Sequence, residues 1–482
     1  MTHVATVLHA TLFAYLPLSS PALAHSLSVP SRPDAAEERV AAALTEYIGH
    51  LTHTPAPPVH WSAPVPSFSR QTGLACSACH TRFPQLNALG RDFKLNGYTL
   101  TAQQVIQEAD SGGAGLRLDL VPPLSGMIIT SLTSTQRSVP GTQNRSAAFP
   151  QEMGLFFAGG ITTNLGAFLQ LTYDPSSGGI GLDNADVRFA GHTRVAGTDV
   201  LAGLTLNDAP GVQDLWNSTP VWGFPFASSD VAPSAAASVL LDGGLDQTAV
   251  GLGSYALWDN RLYTEATLYR SAFQGGPVPV DGSASDVIHG VAPYWRAALQ
   301  HPLGETDLML GTYGMVANLT PTGFEGARDR YVDVGVDGQI QRPLTNGGAL
   351  VAHGTWIHER RTLDATRAAD GSSFRRGHLD TARLDAMYAW SSRWAATAGV
   401  FSTTGSADPG LYAPAAVSGS SNGRPDTRGL TAMLTFTPWL NTRLGLEYTA
   451  YTSFNGRGSD YDGSGRAASD NNTLYLMTWL VF

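Results

Sequence analysis

The C-terminal three-quarters of this chain consist of strand-length segments in which apolar and polar residues alternate. Alternation with a period of two predicts strands that have one apolar and one polar face, and turn residues separate the segments. About sixteen strands are expected, an even number that suits a closed antiparallel barrel in a membrane. They are placed near residues 124–133, 151–161, 165–173, 183–191, 197–206, 247–257, 261–270, 292–300, 306–316, 331–341, 347–358, 379–389, 393–402, 428–437, 441–451 and 473–482.

The connections between these strands alternate in length. Short connections span 162–164, 259–260, 391–392 and 438–440, and long ones span 207–246, 271–291, 403–427 and 452–472. Bacterial outer-membrane barrels have short periplasmic turns and long outer loops, so both ends of the barrel are expected in the periplasm. A soluble β-sandwich or propeller is the alternative, but neither predicts this alternation of loop length.

The last strand favours insertion into the bacterial outer membrane. Thr473 to Phe482 alternates and ends on an aromatic residue, like the C-terminal recognition signal of outer-membrane barrels. Aromatic residues near strand ends are expected to form a girdle at the membrane interface, in contact with lipid. The candidates are Trp390, Trp394, Trp439, Tyr448, Tyr451 and Trp479.

The composition indicates that, if the chain spans a membrane, it does so with β-strands and not with helices. Charged residues make up only 14% of the chain, and no uninterrupted apolar run is long enough for a membrane-spanning helix. The net charge of -10 argues against nucleic acid as a partner.

The N-terminal part divides into three segments. Residues 1–24 have the form of a secretory signal peptide, with an apolar core and small residues at its end. Residues 25–66 are interpreted as an amphipathic helix and a Pro-rich linker. Residues 67–120 carry the chain's two cysteines, and residues 121–482 form the predicted barrel.

The two cysteines form the motif Cys76-Ser77-Ala78-Cys79-His80. This spacing is the attachment signature of a c-type haem, in which two thiols bond to the vinyl groups and the adjacent imidazole binds iron. Cys76 and Cys79 are therefore expected to hold one haem covalently, with His80 as the proximal metal ligand. A thioredoxin-like motif, a local disulfide and a structural zinc site are weaker alternatives.

The residues after the motif are expected to surround the haem. Residues 76–90 are predicted to be helical, and Phe83, Leu86, Leu89 and Phe93 are candidates to cover the haem face. Arg91 and Lys94 either pair with the propionates or form a solvated face. A segment of this size has too little chain to enclose the cofactor, so the barrel lumen is the expected shelter.

Four segments of the chain resemble the fused cytochrome-porins, outer-membrane iron oxidases of Fe(II)-oxidising bacteria. They are Pro66-Ser67-Phe68-Ser69-Arg70-Gln71-Thr72-Gly73, Phe93-Lys94-Leu95-Asn96-Gly97-Tyr98, Asn164-Leu165-Gly166-Ala167 and Trp222-Gly223-Phe224-Pro225. The resemblance implies an all-β outer-membrane barrel whose lumen is plugged by a small, mainly α-helical monohaem cytochrome segment. It also implies oxidation of extracellular Fe(II), with the electron passed to a periplasmic c-type cytochrome or cupredoxin.

The sixth iron ligand and the donor site are open at this stage. Met127, in the first strand, is a candidate distal ligand, and His50, His53 and His60 are alternatives. Acidic loop residues are candidates to attract Fe(II): Asp174, Asp183, Asp230, Asp242 and Asp246. Other functions also fit the sequence: a haem-plugged transport porin, a conduit for a different extracellular donor, or a haem peroxidase or sensor.

Overall fold

The computed structural model describes residues 65–99, 105–107, 117–119, 122–175, 178–272, 285–323 and 325–482. The predicted signal peptide, the predicted N-terminal helix and nearly all of the Pro-rich linker lie outside these residues.

The chain from residue 124 onward forms one closed barrel of antiparallel strands. After the short strands β1 to β4, described below, the barrel strands are β5 Leu124–Thr135, β6 Ser146–Gly160, β7 Leu165–Asp174, β8 Gly179–Val195, β9 Thr198–Asn207, β10 Ala249–Trp258, β11 Leu262–Ser271, β12 Ser285–Ile288, β13 Ala292–Leu303, β14 Thr306–Thr322, β15 Asp329–Pro343, β16 Ala349–Leu363, β17 Arg376–Ala389, β18 Trp394–Gly405, β19 Thr427–Trp439, β20 Thr442–Ser453 and β21 Thr473–Val481. The short β12 and β13 share one position, because both pair with β14 while β11 pairs directly with β13. The barrel therefore has sixteen strand positions, which confirms the prediction.

The barrel closes between its last and first strands. β21 pairs with β5 from Thr473 opposite Thr135 to Val481 opposite Met127. The main chains of Phe482 and Gly126 then exchange two hydrogen bonds of 2.8 and 2.9 Å. Closure pairs the edge strands that an open sheet would leave exposed.

The two faces of the barrel differ in polarity. Leucines on the outer face are exposed, with Leu310 at 71% and Leu252 at 63%, whereas Arg188 and Arg296 point into the lumen and are fully buried. Trp390, Trp394 and Trp439 are exposed near one end, as the girdle requires, but Trp479 points inward and is 8% exposed. An apolar outer face over a polar lumen is the arrangement of a transmembrane barrel. Within the described ranges, no helix is long and apolar enough to cross a membrane.

A small plug precedes the barrel. It consists of α1 Pro66–Thr72, α2 Cys76–Cys79, β1 His80–Arg82, β2 Gln85–Leu86 and α3 Ala88–Leu95. The prediction of a helix over 76–90 is wrong, because β1 and β2 form an antiparallel hairpin around Pro84. Proline lacks the N–H that a helix needs, and it forces the residue before it towards an extended conformation.

Between the plug and the barrel, β3 Val105–Gln107 pairs with β4 Arg117–Asp119. Three further short helices lie in barrel connections: α4 Asp364–Ala368 and the 3-10 turns Pro210–Gln213 and Ala468–Asn471.

The connection between β9 and β10, residues 208–248, folds back into the lumen. Leu215 and Trp216 are each 1% exposed. Asn217 accepts a hydrogen bond of 3.0 Å from the main-chain N–H of Leu86 in the plug, and Ser218 donates to Asp337 on β15. The sequence predicts this segment only as a long outer loop, but it enters from the long-loop end and meets the plug.

Candidate cofactor site

A cavity of about 410 Å³ lies in the lumen between plug and barrel wall, and we call it the central cavity. The plug contributes Cys76, Cys79 and His80, while the wall contributes Met127 and Trp479. The volume lies within the range of roughly 300–1,000 Å³ usual for cofactor sites. Four of these residues are the ones that the sequence singles out for haem binding.

The two thiols lie at either end of one helical turn. Cys76 begins α2 and Cys79 ends it, and residues three apart in a helix share a face. Neither cysteine forms a disulfide. Burial raises the pKa of the Cys76 thiol to about 12 and also raises that of Cys79. Both side chains are thus neutral thiols within a largely apolar wall.

His80 follows α2 directly, and its ring is held by a main-chain contact. Its Nδ1 lies 3.1 Å from the carbonyl oxygen of Pro84. Because a carbonyl only accepts, Nδ1 must carry the proton, and Nε2 then carries the lone pair. Burial lowers the pKa of His80 to about 4, so the ring is neutral. This is the form of histidine that binds a metal.

Met127 lies on the wall of the central cavity and is 4% exposed. It packs in a buried cluster with Phe156, Met477 and Trp479. Of the methionines in the described ranges, Met127 alone lines this cavity. The other candidates for the sixth position, His50, His53 and His60, lie outside the described residues.

The expected covering residues lie around the cavity with one exception. Phe83, Leu86 and Phe93 line the central cavity. Leu89 does not, and it is 40% exposed. Leu89 instead lines a second cavity, described below, together with Cys76 and His80.

Arg91 and Lys94 are engaged with the barrel and the inward loop, and Lys94 also lines the central cavity. Arg91 is 4% exposed, and it contacts Asp307 at 3.5 Å. Lys94 donates to the main-chain oxygens of Val212 and Asp214 in the inward loop. Both cations tie the plug to the barrel and the loop, so neither forms a solvated face.

The segment Phe93 to Tyr98 docks the plug on the barrel wall. Tyr98 donates a 2.5 Å hydrogen bond to Asp186 on β8, and Tyr255 on β10 donates to the Leu95 carbonyl at 2.6 Å. Asp186 and Tyr255 are not singled out by the sequence, which only places them within the strands predicted at 183–191 and 247–257.

The main chains of plug and wall approach closely at two glycines. Gly97 has a φ of 70°, and a Cβ on Gly166 of β7 would lie 2.1 Å from the Gly97 carbonyl oxygen. Such a backbone contact requires glycine at both positions. Two of the segments that carry the family resemblance, residues 93–98 and 164–167, therefore meet at this contact.

A second cavity of about 590 Å³ lies at the short-turn end, and we call it the mouth cavity. Residues of three turns, Gly347, Ser391 and Asn441, line it together with Cys76 and His80. Arg82 of the plug donates hydrogen bonds of 2.6 and 3.0 Å to the carbonyls of Ser391 and Trp394. The haem motif thus faces both cavities, and the plug is fastened at this end.

The opposite end of the central cavity is acidic. Glu152, Asp183 and Asp246 line it, and Glu152 and Asp183 also line a surface pocket near the start of β8. Burial, together with the charges of Asp208, Asp183 and Asp242, raises the pKa of Asp246 to about 7. These residues connect the central cavity to the long-loop end.

The other acidic candidates do not line the central cavity, or their side chains are not described. Asp242 pairs with Arg383 at 2.6 Å. Asp230 accepts a hydrogen bond from Gln151 at 3.2 Å and lines the surface pocket. The side chain of Asp174 lies outside the described part of the chain. Among the residues that the structure describes, no three acidic, histidine or cysteine side chains form a metal-binding group.

The residues present fit a covalently attached haem. Two thiols one helical turn apart and a neutral imidazole line the same cavity, whose wall also carries Met127. The aromatic rings of Phe83 and Trp479, 4.9 Å apart, form part of that wall. Sulfur and imidazole donors beside aromatic walls match the ligands by which proteins hold haem.

Comparison with known proteins gives weak similarities to outer-membrane channels. OmpT of Vibrio cholerae has 10% identity and a TM-score of 0.40, with 74% of this chain and 98% of that chain covered. The outer membrane channel DcaP of Acinetobacter baumannii has 13% identity and a TM-score of 0.42, with coverage of 78% and 99%. An anion-selective porin from Comamonas acidovorans has 12% identity and a TM-score of 0.41, with coverage of 74% and 98%. No family model and no curated protein matches the chain.

Proposed function

We propose that this protein holds one haem c inside an outer-membrane barrel and passes electrons from extracellular Fe(II) to a periplasmic carrier. The observation that supports this most strongly is the position of the Cys76 to His80 motif. It faces a cavity that the plug and the barrel wall enclose together. A cofactor held there is fixed within the membrane-spanning part of the molecule.

Each residue of the site has a separate role in this proposal. Cys76 and Cys79 would hold a haem c through two thioether bonds, and Nε2 of His80 would bind its iron. Met127 would supply a second iron ligand. When bound, the haem supplies a one-electron redox centre, and a methionine ligand raises its potential.

The two ends of the lumen suit different partners. The acidic opening lined by Glu152, Asp183 and Asp246 faces the long-loop end, and negative charge attracts a cationic donor such as Fe(II). Each Fe(II) would be oxidised to Fe(III) at this end and would remain outside, and the one electron it loses would reduce one periplasmic carrier. Fe(III) is poorly soluble near neutral pH, so its formation outside avoids precipitation in the lumen.

The mouth cavity faces the periplasm in this orientation. Cys76 and His80 line this cavity together with residues of the short turns. A periplasmic c-type cytochrome or cupredoxin that docks at this mouth therefore comes close to the cofactor. The electron leaves the protein there, and no iron needs to cross the barrel.

A haem-plugged transport porin is the second candidate function. A closed barrel of sixteen strand positions is the architecture of porins, which favours this alternative. In that case the plug acts as a gate. The inward loop weighs against free passage, because Leu215 and Trp216 exclude solvent from their part of the lumen. A protein that passes electrons from a different extracellular donor would need the same cofactor site and the same mouth cavity. It would differ from the proposed iron oxidase only in that its donor need not be a cation.

Proteoliposomes with the long-loop end outward distinguish these functions. External Fe(II) is expected to reduce the oxidised haem, read from its Soret band, while an iron chelator inside the vesicles stays uncoloured. Entry of iron to the chelator before any haem reduction would identify a transport porin. Reduction by other donors but not by Fe(II) would reassign the substrate.

A further inference from the structure

Arg443, at the start of β20, is a lumen arginine that forms no ion pair among the described residues. It donates to the Phe83 carbonyl at 3.0 Å and to the sulfur of Met433 at 3.4 Å. Its Nε is buried and has no hydrogen-bond partner. No acidic side chain of the described residues lies within 4.0 Å of its guanidinium; Glu447, four residues along the strand, is not in ion-pair contact with it.

Three other lumen arginines on barrel strands do form ion pairs. Arg188 contacts Asp186 at 2.6 Å, and Arg296 contacts Asp337 at 2.5 Å. Arg383 contacts Asp242 at 2.6 Å. Glu447 interacts electrostatically with Arg443 but forms no ion pair with it, so the charge of this interior cation is only partly compensated. Arg443 is therefore expected to receive an anion that is not part of the chain.

The position of Arg443 identifies the kind of anion. It lines the mouth cavity together with Cys76 and His80. Its guanidinium lies 5.5 Å from the ring centre of Phe226 and 5.8 Å from that of Trp479. Both rings line the central cavity as well, so Arg443 lies where the two cavities meet.

We infer that Arg443 binds a propionate carboxylate of the haem that the proposed function places in these cavities. The propionates are the anionic groups of that cofactor, and a guanidinium pairs with carboxylates through two parallel hydrogen bonds. Arg91 and Lys94 are the sequence-based candidates for this role, but both donate to groups of the barrel, the inward loop or the plug itself. This inference rests on the proposed function.

Arg82 supports this arrangement without replacing Arg443. Its terminal nitrogens donate to Ser391, Trp394 and Thr437, so its hydrogen-bonding capacity is largely used. It adds positive charge to the mouth cavity that it lines with Arg443. Arg443 keeps a free N–H and is the residue that makes the contact.

Thermal unfolding of the full chain tests the inference in two backgrounds. The haem-loaded protein is compared with a haem-free one that carries Cys76→Ser and Cys79→Ser. Arg443→Gln is expected to lower the Tm of the loaded protein and to raise or maintain that of the haem-free protein. Arg383→Gln, the matched control, is expected to lower both alike because its partner Asp242 belongs to the chain. An equal decrease for Arg443→Gln in both backgrounds would overturn the inference.

Resonance Raman spectroscopy of the loaded protein gives a second readout that does not require the haem-free barrel to fold. Arg443→Gln is expected to shift the propionate bending band, and Arg383→Gln to leave it in place. An unchanged band in Arg443→Gln refutes the propionate contact but leaves the proposal of a covalently bound haem intact. A wild-type protein without covalent haem refutes the proposed function, and the propionate contact with it.

Discussion

The carbonyl oxygen of Pro84 accepts the Nδ1 proton of His80 across 3.1 Å. This contact comes from the β1–β2 hairpin, so the backbone of the plug itself selects the ring nitrogen that is left for a metal. Metal-binding histidines commonly have such a partner for their second nitrogen, which orients the ring. The hairpin therefore prepares His80 as a ligand before any metal is bound.

Covalent haem attachment is expected to depend on Cys76, Cys79 and His80. Cys76→Ser or Cys79→Ser removes one thioether bond, and a pyridine haemochrome spectrum of the denatured, acetone-extracted protein should show the loss. His80→Ala should alter the absorption spectrum by removing the proximal ligand. Ser77→Ala, at an exposed position of the same motif, should retain a normal spectrum. A wild-type polypeptide with no retained haem contradicts the prediction.

Met127→Leu is expected to lower the reduction potential of the haem. The substitution conserves volume and should cost less than about 1.5 kcal/mol of stability, but it removes the thioether sulfur. The charge-transfer band of sulfur-ligated ferric haem should disappear with it. Met477→Leu is the matched control, since Met477 is fully buried in the same cluster and does not line the central cavity. Equal potentials for the two variants would exclude Met127 as the distal ligand.

Gly166→Ala is expected to weaken docking of the plug. The new Cβ would lie 2.1 Å from the Gly97 carbonyl oxygen, and relief of such overpacking typically costs about 1–3 kcal/mol. Conductance in planar bilayers should rise as the plug loosens. Gly191→Ala is the control, because a Cβ there meets nothing within 4 Å. If both variants conduct like the wild type, this contact does not hold the plug in place.

The rate of haem reduction by Fe(II) is expected to increase with pH around neutrality. The pKa of Asp246 is raised to about 7, so roughly a tenth of this carboxyl is ionised at pH 6 and roughly nine-tenths at pH 8. Ionisation adds negative charge to the opening through which a cation approaches. Asp246→Asn should flatten this increase in anaerobic stopped-flow measurements, whereas Asp364→Asn, at a partly exposed ion pair in another loop, should leave it unchanged. A profile that Asp246→Asn does not alter assigns the pH dependence to another group.

Labelling of intact cells tests the orientation of the barrel. Tags at Gly463 and Ala407, in long loops, should be accessible from outside, because these connections lie opposite the short turns. Tags at Asn260 and Ser392 should be protected, since both lie in short turns. The reverse pattern would place the acidic opening in the periplasm and exchange the donor and acceptor ends.

The strands were predictable from the sequence because one face meets lipid and the other the lumen. That constraint acts on every second residue, so the predicted segment 165–173 agrees with Leu165–Asp174, and 379–389 falls within Arg376–Ala389. The strand ends are less accurate, because several strands continue beyond the apolar band. No alternation marks where they stop.

Features that depend on contacts between distant segments were not predictable. Residues 208–248 fold into the lumen because Trp216 and Ser218 contact residues of distant barrel strands, Tyr263 and Asp337. The composition of the segment does not reveal these contacts. The buried engagement of Lys94 likewise depends on carbonyls more than a hundred residues away. The Cys76 to His80 motif is visible in the sequence because its residues are adjacent, whereas the proximity of Arg443 to it depends on a strand far along the chain.

The closure of the barrel has a consequence for the order in which the protein is assembled. The central cavity is walled by Met127 from the first barrel strand and by Trp479 and Val481 from the last, and Met127 and Val481 are paired neighbours. The cavity is incomplete until the C-terminal strand is in place. We therefore expect the plug to be seated as the sheet wraps around it. On the proposed function, a haem bonded to Cys76 and Cys79 is then expected to be attached before the barrel closes.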